Sequence, residues 1–310
     1  MSMHFSDVAR QAMADGAISA EDVLALRRAG WADGQISPEE AEAIFAINHR
    51  LDQPAAEWVD FFLEAMGEYV VNQLEPRGYV TDEQARWLIS RIEQDDKLHS
   101  LTELELLVRV FEKALDVPEG LRTFALEQIE RAVLTGDGPT RCGGRLDKGN
   151  VTLAEARLLR RILFASGSDR PAAVSRREAE LLFRLKDETL GANNDPEWKR
   201  LFVQGVGNYL QGFASDSALS RDRAAQLEAF MNDTSSSVGA FMGRVVRSVG
   251  APNRMGKVFG RKAATPSLDH LVDQARQVTG DEQAWLDRHI DANGVVDEYD
   301  EALLEFLAAG

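Results

Sequence analysis

The residues of this chain that could do chemistry are mostly carboxylates, and several stand in short boxes with a glycine and a hydroxyl. Residues 14–19 read ADGAIS and residues 32–37 read ADGQIS, and Asp22 and Glu40 follow three positions after each serine. A hard divalent cation such as Ca²⁺ prefers oxygen ligands of this kind. The boxes therefore raise the expectation of a cation site.

A box near the C-terminus comes nearest to a calcium-binding loop of the EF-hand type, which arranges oxygen ligands around a glycine at its sixth position. With Gly294 at that position, Asp291, Asn293, Asp297 and Asp300 all fall at ligand positions, although a histidine stands at the first one. The other boxes supply fewer ligands. A divalent cation held by this loop is one hypothesis.

The same boxes have a second interpretation, as joints between consecutive helices. Glycine commonly ends a helix in the left-handed conformation. Ser, Thr or Asp then caps the next helix, and an acidic or amide residue three positions on completes a capping box. Pro38 stands where the first residue of such a helix is expected. The sequence leaves both interpretations open, a cation site shared between loops and a helix joint that needs no ligand.

Two ADGxIS boxes near the start, each opening a helix, resemble the TerB family of tellurite-resistance-associated proteins. The resemblance is clearest over residues 1–50. Members of that family are all-helical bundles whose clustered acidic residues are associated with binding of metal ions or partner surfaces. The resemblance therefore implies a stress-related binding role and an acidic cluster formed by Asp15, Asp22, Asp33 and Glu40.

Apolar residues recur along most of the chain with the 3.6-residue period of an amphipathic helix. Phe5, Val8, Ala9 and Ala12 show this spacing, and so does the segment 104–115. Alternation of period two with β-branched residues, which indicates strands, is nearly absent. The sequence predicts an all-α protein whose helices are joined by short breaks at Gly, Asp, Pro or Ser.

Four helical segments occur twice in the same order, which indicates an internal duplication. Residues 36–45 and 57–69 recur as 174–183 and 197–209, and residues 82–88 (DEQARWL) have a further echo in 281–286 (DEQAWL). Weaker matches join residues 18–28 to 151–161 and residues 80–88 to 219–227. We expect two related helical bundles in tandem plus C-terminal helices: residues 1–135 form a first TerB-like bundle, 145–233 a second related bundle, 234–266 a basic amphipathic helix and linker, and 267–310 a C-terminal helical segment.

Residues 234–268 contain no acidic residue and six basic ones, although the chain as a whole has a net charge of −16. Their apolar residues follow a helical spacing, which predicts a short basic amphipathic helix. Three roles are open: packing on the acidic body, docking of a partner protein, and peripheral contact with an anionic membrane through residues 238–262. The candidate partner-binding residues are Phe241, Arg244, Arg247, Arg254, Lys257, Arg261 and Lys262.

Composition and missing motifs restrict the function classes. The chain has 310 residues, with 51 acidic against 35 basic side chains and one cysteine. This acidity argues against nucleic acid as the main partner. The lack of a long apolar stretch and of an apolar N-terminal segment predicts a cytoplasmic protein without a transmembrane segment. None of the five histidines stands in a His-Glu-x-x-His motif, and no Gly-x-Ser-x-Gly elbow occurs.

The leading hypothesis is a non-enzymatic helical binding or adaptor protein, TerB-like, modulated by a divalent cation and engaging an unidentified protein partner. The first alternative is a calcium-responsive, EF-hand-like binding protein. The second is a metal-dependent enzyme that uses clustered carboxylates. The sequence does not decide between them.

Overall fold

The computed structural model of the protein describes residues 9–10, 18–30, 35–51, 53–93, 98, 100–141, 149–165, 173–212 and 280–309. Within those ranges the regular secondary structure is helical, without a strand, and one isolated parallel bridge joins Tyr79 to Asp116. The predicted all-α class is confirmed. The helices are α1 (Ala20–Gly30), α2 (Pro38–Asn48), α3 (Ala56–Glu68), α4 (Asp82–Ile92), α5 (Leu101–Lys113), α6 (Glu119–Thr135), α7 (Leu153–Leu163), α8 (Arg176–Glu188), α9 (Pro196–Gly212), α10 (Gly280–Ile290) and α11 (Glu298–Ala309), with a π-helical turn at Tyr69–Gln73 after α3.

Helices α2, α4, α7 and α8 begin at complete capping boxes, and Ser19 and Asp22 make the same reciprocal bonds at the start of α1. Ser37, Thr81, Thr152 and Ser175 each accept a hydrogen bond from the backbone N–H three residues on, and the side chain of that residue accepts one from the cap's own N–H. These bonds satisfy donors that the start of a helix leaves without intrahelical partners. The predicted capping boxes are confirmed at the starts of α1 and α2, and Thr81, Thr152 and Ser175 cap α4, α7 and α8 in the same way.

The chain divides into two compact units, which meet in sequence at Ala172 and Ala173. In the first unit α5 is the central helix, because Leu104, Leu107 and Phe111 are fully buried and α3, α6 and α7 all pack against it. The predicted apolar stripe of this helix is thus its buried face. Helix α7, predicted to belong to a second bundle starting at residue 145, packs on α5 and α6 of the first unit.

The second unit contains α8, α9, α10 and α11. Helix α9 packs against both α8 and α11. Helices α10 and α11, expected as a separate C-terminal segment, belong to this unit. Residues 219–227, the predicted fourth helix of the second bundle, and the basic segment 234–266 lie outside the described residues. No helix in the described ranges combines the length and the apolar character needed to cross a membrane.

The glycine of the repeated signature lies where two helices cross closely. A Cβ atom on Gly207 of α9 would overlap the ring of Phe306 of α11. At the corresponding Gly67 of α3, a Cβ atom would lie 3.3 Å from Cγ of Arg109 of α5. The hydrogen of glycine therefore allows an approach that a larger side chain would obstruct.

Candidate functional site

The carboxylates predicted at the N-terminal boxes cap helices wherever the structure describes them. Asp22 accepts hydrogen bonds from the hydroxyl of Ser19 at 2.6 Å and from its backbone N–H at 3.0 Å, and these bonds hold the pKa of Asp22 below its ordinary value. Glu40 accepts a bond from the N–H of Ser37 at 3.0 Å. Asp15 and Asp33 lie outside the described residues, so the four-residue acidic cluster stays a prediction.

The predicted calcium loop is the joint between α10 and α11. Gly294 has a φ of +73°, the left-handed conformation that glycine adopts readily. Asp297 caps α11, since its Oδ1 accepts bonds from the backbone N–H groups of Tyr299 at 2.8 Å and of Asp300 at 3.1 Å. In return, Asp300 Oδ2 accepts a bond from the N–H of Asp297 at 3.1 Å. The joint is a reciprocal capping arrangement made by two aspartates.

The other oxygens of these aspartates bind a buried lysine of α8. Nζ of Lys186 lies 2.8 Å from Asp297 Oδ2, 2.9 Å from Asp300 Oδ1 and 3.0 Å from Asp187 Oδ1, and the lysine side chain is 0% exposed. An ammonium group has three N–H donors, so each can be matched with a carboxylate. We call these four residues the Lys186 cluster; it ties α11 to α8.

Burial and ion pairing act in opposite directions on the charges of this cluster. Burial lowers the pKa of Lys186, but its bonds to the three carboxylates outweigh that effect and raise the pKa above its ordinary value. Burial raises the pKa of Asp297, but bonds from Lys186 and from two backbone N–H groups outweigh it, so the pKa is lowered. For Asp300, burial prevails and raises the pKa.

The ammonium of Lys186 thus contacts both of the predicted metal ligands in this joint that are buried, Asp297 and Asp300. Of the other two predicted ligands, Asp291 is exposed, and Asn293 is among the residues whose side chains the structure does not describe. In the ranges that the structure describes, no group of three or more His, Cys, Asp or Glu side chains is arranged to hold a metal ion. The cation site stays a prediction.

A network of similar position ties α5 to α2 in the first unit. Nδ2 of Asn48 donates to Glu103 Oε1 at 3.3 Å, and Oδ1 of Asn48 accepts a bond from Trp58 Nε1 at 3.2 Å. Nε2 of His49 lies 3.2 Å from the same oxygen of Glu103, whose side chain is 5% exposed. We call these four residues the Asn48 network. It uses an amide and an imidazole where the Lys186 cluster uses an ammonium.

An aromatic cluster packs beside the Asn48 network. Phe45 of α2 meets Phe62 edge-on, with 5.4 Å between ring centroids, and it meets Trp87 of α4 at 5.8 Å. Trp87 also lies 5.7 Å from Tyr69, and its Nε1 donates to Glu42 at 3.2 Å. These contacts join α2, α3 and α4.

The second unit has the same set of contacts. Phe183 of α8 meets Phe202 edge-on at 5.1 Å and Trp285 of α10 at 5.5 Å. Trp285 lies 4.8 Å from Tyr209, and its Nε1 donates to Glu180 at 3.3 Å. Helix α10 therefore makes the contacts in the second unit that α4 makes in the first.

Sequence reasoning missed Lys186, although one signal for it exists. Lys186 follows Leu182 by four positions and Phe183 by three, so it falls on the buried stripe of α8. A lysine on an apolar stripe requires buried anionic partners, because an isolated buried charge is very costly. Its partners Asp297 and Asp300 could not be read from the pattern. The same holds for the buried pair in which Arg141 Nε lies 2.8 Å from Glu155 Oε1.

The residues predicted to bind a partner, from Phe241 to Lys262, lie outside the described residues. Comparisons of the chain with known protein families, with curated proteins and with solved structures find no match. The described part of the chain defines an all-α protein whose buried charged groups join helices.

Proposed function

We propose that this chain is a non-enzymatic helical binding or adaptor protein of the TerB-like type. One observation carries the proposal: the buried charged groups bond to one another across the fold, as in the Lys186 cluster and the Arg141–Glu155 pair. A catalytic acid, base or nucleophile must reach a substrate, whereas these groups bond inside the core. The TerB-like type and the stress-related role rest on the resemblance of the N-terminal boxes.

We further propose that the binding scaffold consists of two related bundles, α2–α5 and α8–α11. The matched ring contacts of Trp87 and Trp285 support the pairing of α4 with α10. The bonds of Glu103 and Asp300 support the pairing of α5 with α11. With this pairing, residues 213–279 form an insertion at the point where the first unit has only residues 74–81.

The basic segment falls within that insertion, which makes it the proposed partner-binding element. Its positive charge contrasts with the net charge of −16 for the whole chain. A basic amphipathic segment suits an acidic partner surface, because complementary charge directs encounter and orientation. The proposed contacts are made by Phe241, Arg244, Arg247, Arg254, Lys257, Arg261 and Lys262.

Replacing residues 213–279 with a copy of residues 74–81 tests the scaffold and the partner element together. We expect the second unit to keep its helix content and its cooperative unfolding, and the proteins that co-purify with the full chain to be lost. A second, matched variant keeps the insertion but reverses its charge at three of the proposed contacts, with Arg244→Glu, Arg247→Glu and Lys257→Glu. An unchanged set of partners in both variants would contradict docking, and an unfolded second unit would contradict the insertion.

Modulation by a divalent cation is tested by calorimetric titration of the metal-free protein with Ca²⁺, Mg²⁺ and Zn²⁺. Binding that disappears in the double variant Asp33→Ala, Glu40→Ala supports a site at the N-terminal boxes. Binding that disappears in Asp291→Ala supports the calcium-responsive alternative, which the left-handed turn at Gly294 favours and the charge of Lys186 opposes. Absence of binding with all three cations contradicts both.

A further inference from the structure

His49 links the end of α2 to the start of α5 in the first unit. It follows the last residue of α2, and its Nε2 lies 3.2 Å from Oε1 of Glu103 in the first turn of α5. Arg91, in the last turn of α4, also acts on the pKa of the ring. The side chain of His49 is 29% exposed, so water can exchange protons with it, while that of Glu103 is 5% exposed.

Protonation changes the strength of the contact between the ring and Glu103. The carboxylate accepts a hydrogen bond, and its charge favours the protonated ring. A neutral imidazole carries one N–H and can also donate to Glu103. Only the imidazolium brings a positive charge to the carboxylate as well, and a charge-assisted hydrogen bond is stronger than one from a neutral donor.

The charged groups that act on the ring come from the two helices packed against it. Glu103 raises the pKa of His49 through its hydrogen bond and its charge, while burial and the positive charge of Arg91 oppose this, and the net pKa is raised above its ordinary value. Arg91 is itself bound to Glu42 of α2, with its Nη1 3.1 Å from Oε2. The contact with Glu103 is the larger influence.

The second unit provides an internal comparison. There the ammonium of Lys186 bonds to Asp300 of α11 at 2.9 Å and to Asp297 at 2.8 Å. A lysine with a raised pKa keeps its charge across the physiological range, whereas histidine is the side chain that changes charge within it. Corresponding ends of the two units are therefore held by a permanent cation in one and by a titratable cation in the other.

We propose that the His49–Glu103 contact is a pH-responsive joint, which strengthens the tie between α2 and α5 when the imidazole is protonated and weakens it when the proton leaves. Because the folded state raises the pKa of His49, its stabilising effect is complete below the unfolded value of about 6.5 and disappears as the pH rises through the folded value. The start of α5 becomes easier to open at alkaline pH, and the second unit does not change.

Hydrogen exchange of the full chain, followed by mass spectrometry at about pH 6 and about pH 8.5 and corrected for intrinsic rates, tests this joint on both sides of the histidine titration. We expect protection at the start of α5 to fall at the higher pH, about tenfold for each unit by which the pKa is raised. Protection at the start of α11 should stay constant. Equal protection of α5 at both pH values would overturn the proposal.

Two substitutions separate the titration from a merely structural role. His49→Gln should give low protection of α5 at both pH values, whereas His49→Lys, with a permanent charge, should give high protection at both. A pH-dependent fall that persists in His49→Gln would also overturn the proposal. A second measurement keeps His49 itself and so does not depend on whether the two His49 variants fold. NMR titration of the His49 ring should show a lower midpoint in Glu103→Gln than in the wild type, and no comparable change in Glu42→Gln. Equal midpoints in Glu103→Gln and the wild type would refute the joint.

Discussion

The ammonium of Lys186 lies 2.9 Å from the carboxylate of Asp300, whereas in the first unit the amide of Asn48 lies 3.3 Å from the carboxylate of Glu103. Both contacts tie the start of a helix to the end of another, but only the first joins full charges. A charge-assisted hydrogen bond is shorter and stronger than one from a neutral donor. The contact between these two helices is therefore stronger in the second unit, and it depends on the single residue Lys186.

Lys186 also lacks the hydrogen-bond acceptor that the side chain of Asn48 provides. Asn48 Oδ1 accepts the indole N–H of Trp58, but an ammonium cannot accept a hydrogen bond. Accordingly, Nε1 of the fully buried Trp198 has no hydrogen-bond partner among the residues that the structure describes. The second unit combines a stronger ionic contact with this unsatisfied donor, and the two effects can be measured separately.

Substitution Lys186→Met removes the charge and keeps most of the side-chain volume. We expect it to lower the free energy of unfolding by about 3–5 kcal/mol, because it leaves buried carboxylates without their cation. The measurement is urea unfolding followed by circular dichroism, with hydrogen exchange in α8 and α11 to assign the loss to the second unit. Lys199→Met is the control: Lys199 forms a 2.8 Å pair with the exposed Glu298, and its loss should cost about 0–1 kcal/mol. Equal effects of the two substitutions would show that the Lys186 cluster is not a buried ionic tie.

Replacing each buried tryptophan by phenylalanine separates the hydrogen bond from the packing. Trp58→Phe removes a donor and leaves the acceptor of Asn48 buried without it, whereas Trp198→Phe removes a donor that has no acceptor in the described part of the chain. We expect Trp58→Phe to cost about 1–3 kcal/mol more than Trp198→Phe, since an unsatisfied buried group carries that penalty. Urea unfolding of the two variants under identical conditions checks the difference. A larger loss in Trp198→Phe would contradict the assignment of the unpaired indole.

The two helix-crossing glycines should respond differently to alanine. In Gly207→Ala the new methyl group meets the rigid ring of Phe306, so we expect overpacking to cost about 1–3 kcal/mol. In Gly67→Ala it lies 3.3 Å from Cγ of the flexible Arg109, and the higher helix propensity of alanine, about 1 kcal/mol, offsets the crowding. Thermal unfolding monitored by circular dichroism tests both. The same melting temperature in the two variants would mean that the two crossings are equally tolerant.

Local rules explain how much of the fold could be predicted. The helical class follows from the period of apolar residues, and the starts of α2, α4, α7 and α8 follow from capping pairs that lie three residues apart, such as Ser37 with Glu40. Such pairs can be read from a sequence because both partners belong to the same turn. The predicted left-handed glycine at position 294 is a local feature of the same kind.

The candidate site could not be predicted in the same way, because its bonds join distant parts of the chain. Asp297 and Asp300 stand at ligand positions of a calcium loop, and that pattern gave no indication of a partner 111 and 114 residues earlier in the sequence. The echo of residues 82–88 in 281–286 held the better information, since Trp87 and Trp285 make the same contacts. Helix α7 shows a further limit of prediction from sequence: its apolar pattern predicts a helix but does not reveal which helices it packs against.

Acidification should weaken the second unit through Asp297. The folded state lowers the pKa of this residue, so its contribution to stability is present above the unfolded value of about 3.9 and is lost as the pH falls through the folded value. Asp297→Asn removes that contribution. We expect the variant to be less stable than the wild type by about 1.5–3 kcal/mol at neutral pH, the range for a hydrogen bond to a charged group.

The diagnostic result is the change of that difference with pH. In urea unfolding at several pH values, the gap between wild type and Asp297→Asn should stay constant near neutrality and shrink on acidification, because protonation removes from the wild type the charge that the variant already lacks. Asp291→Asn is the matched control: Asp291 is an exposed aspartate of the same joint, and its substitution should change stability by less than about 0.5 kcal/mol. A gap that stays constant down to about pH 2 would mean that the cap of α11, rather than the charge of Asp297 against Lys186, is what the substitution removes.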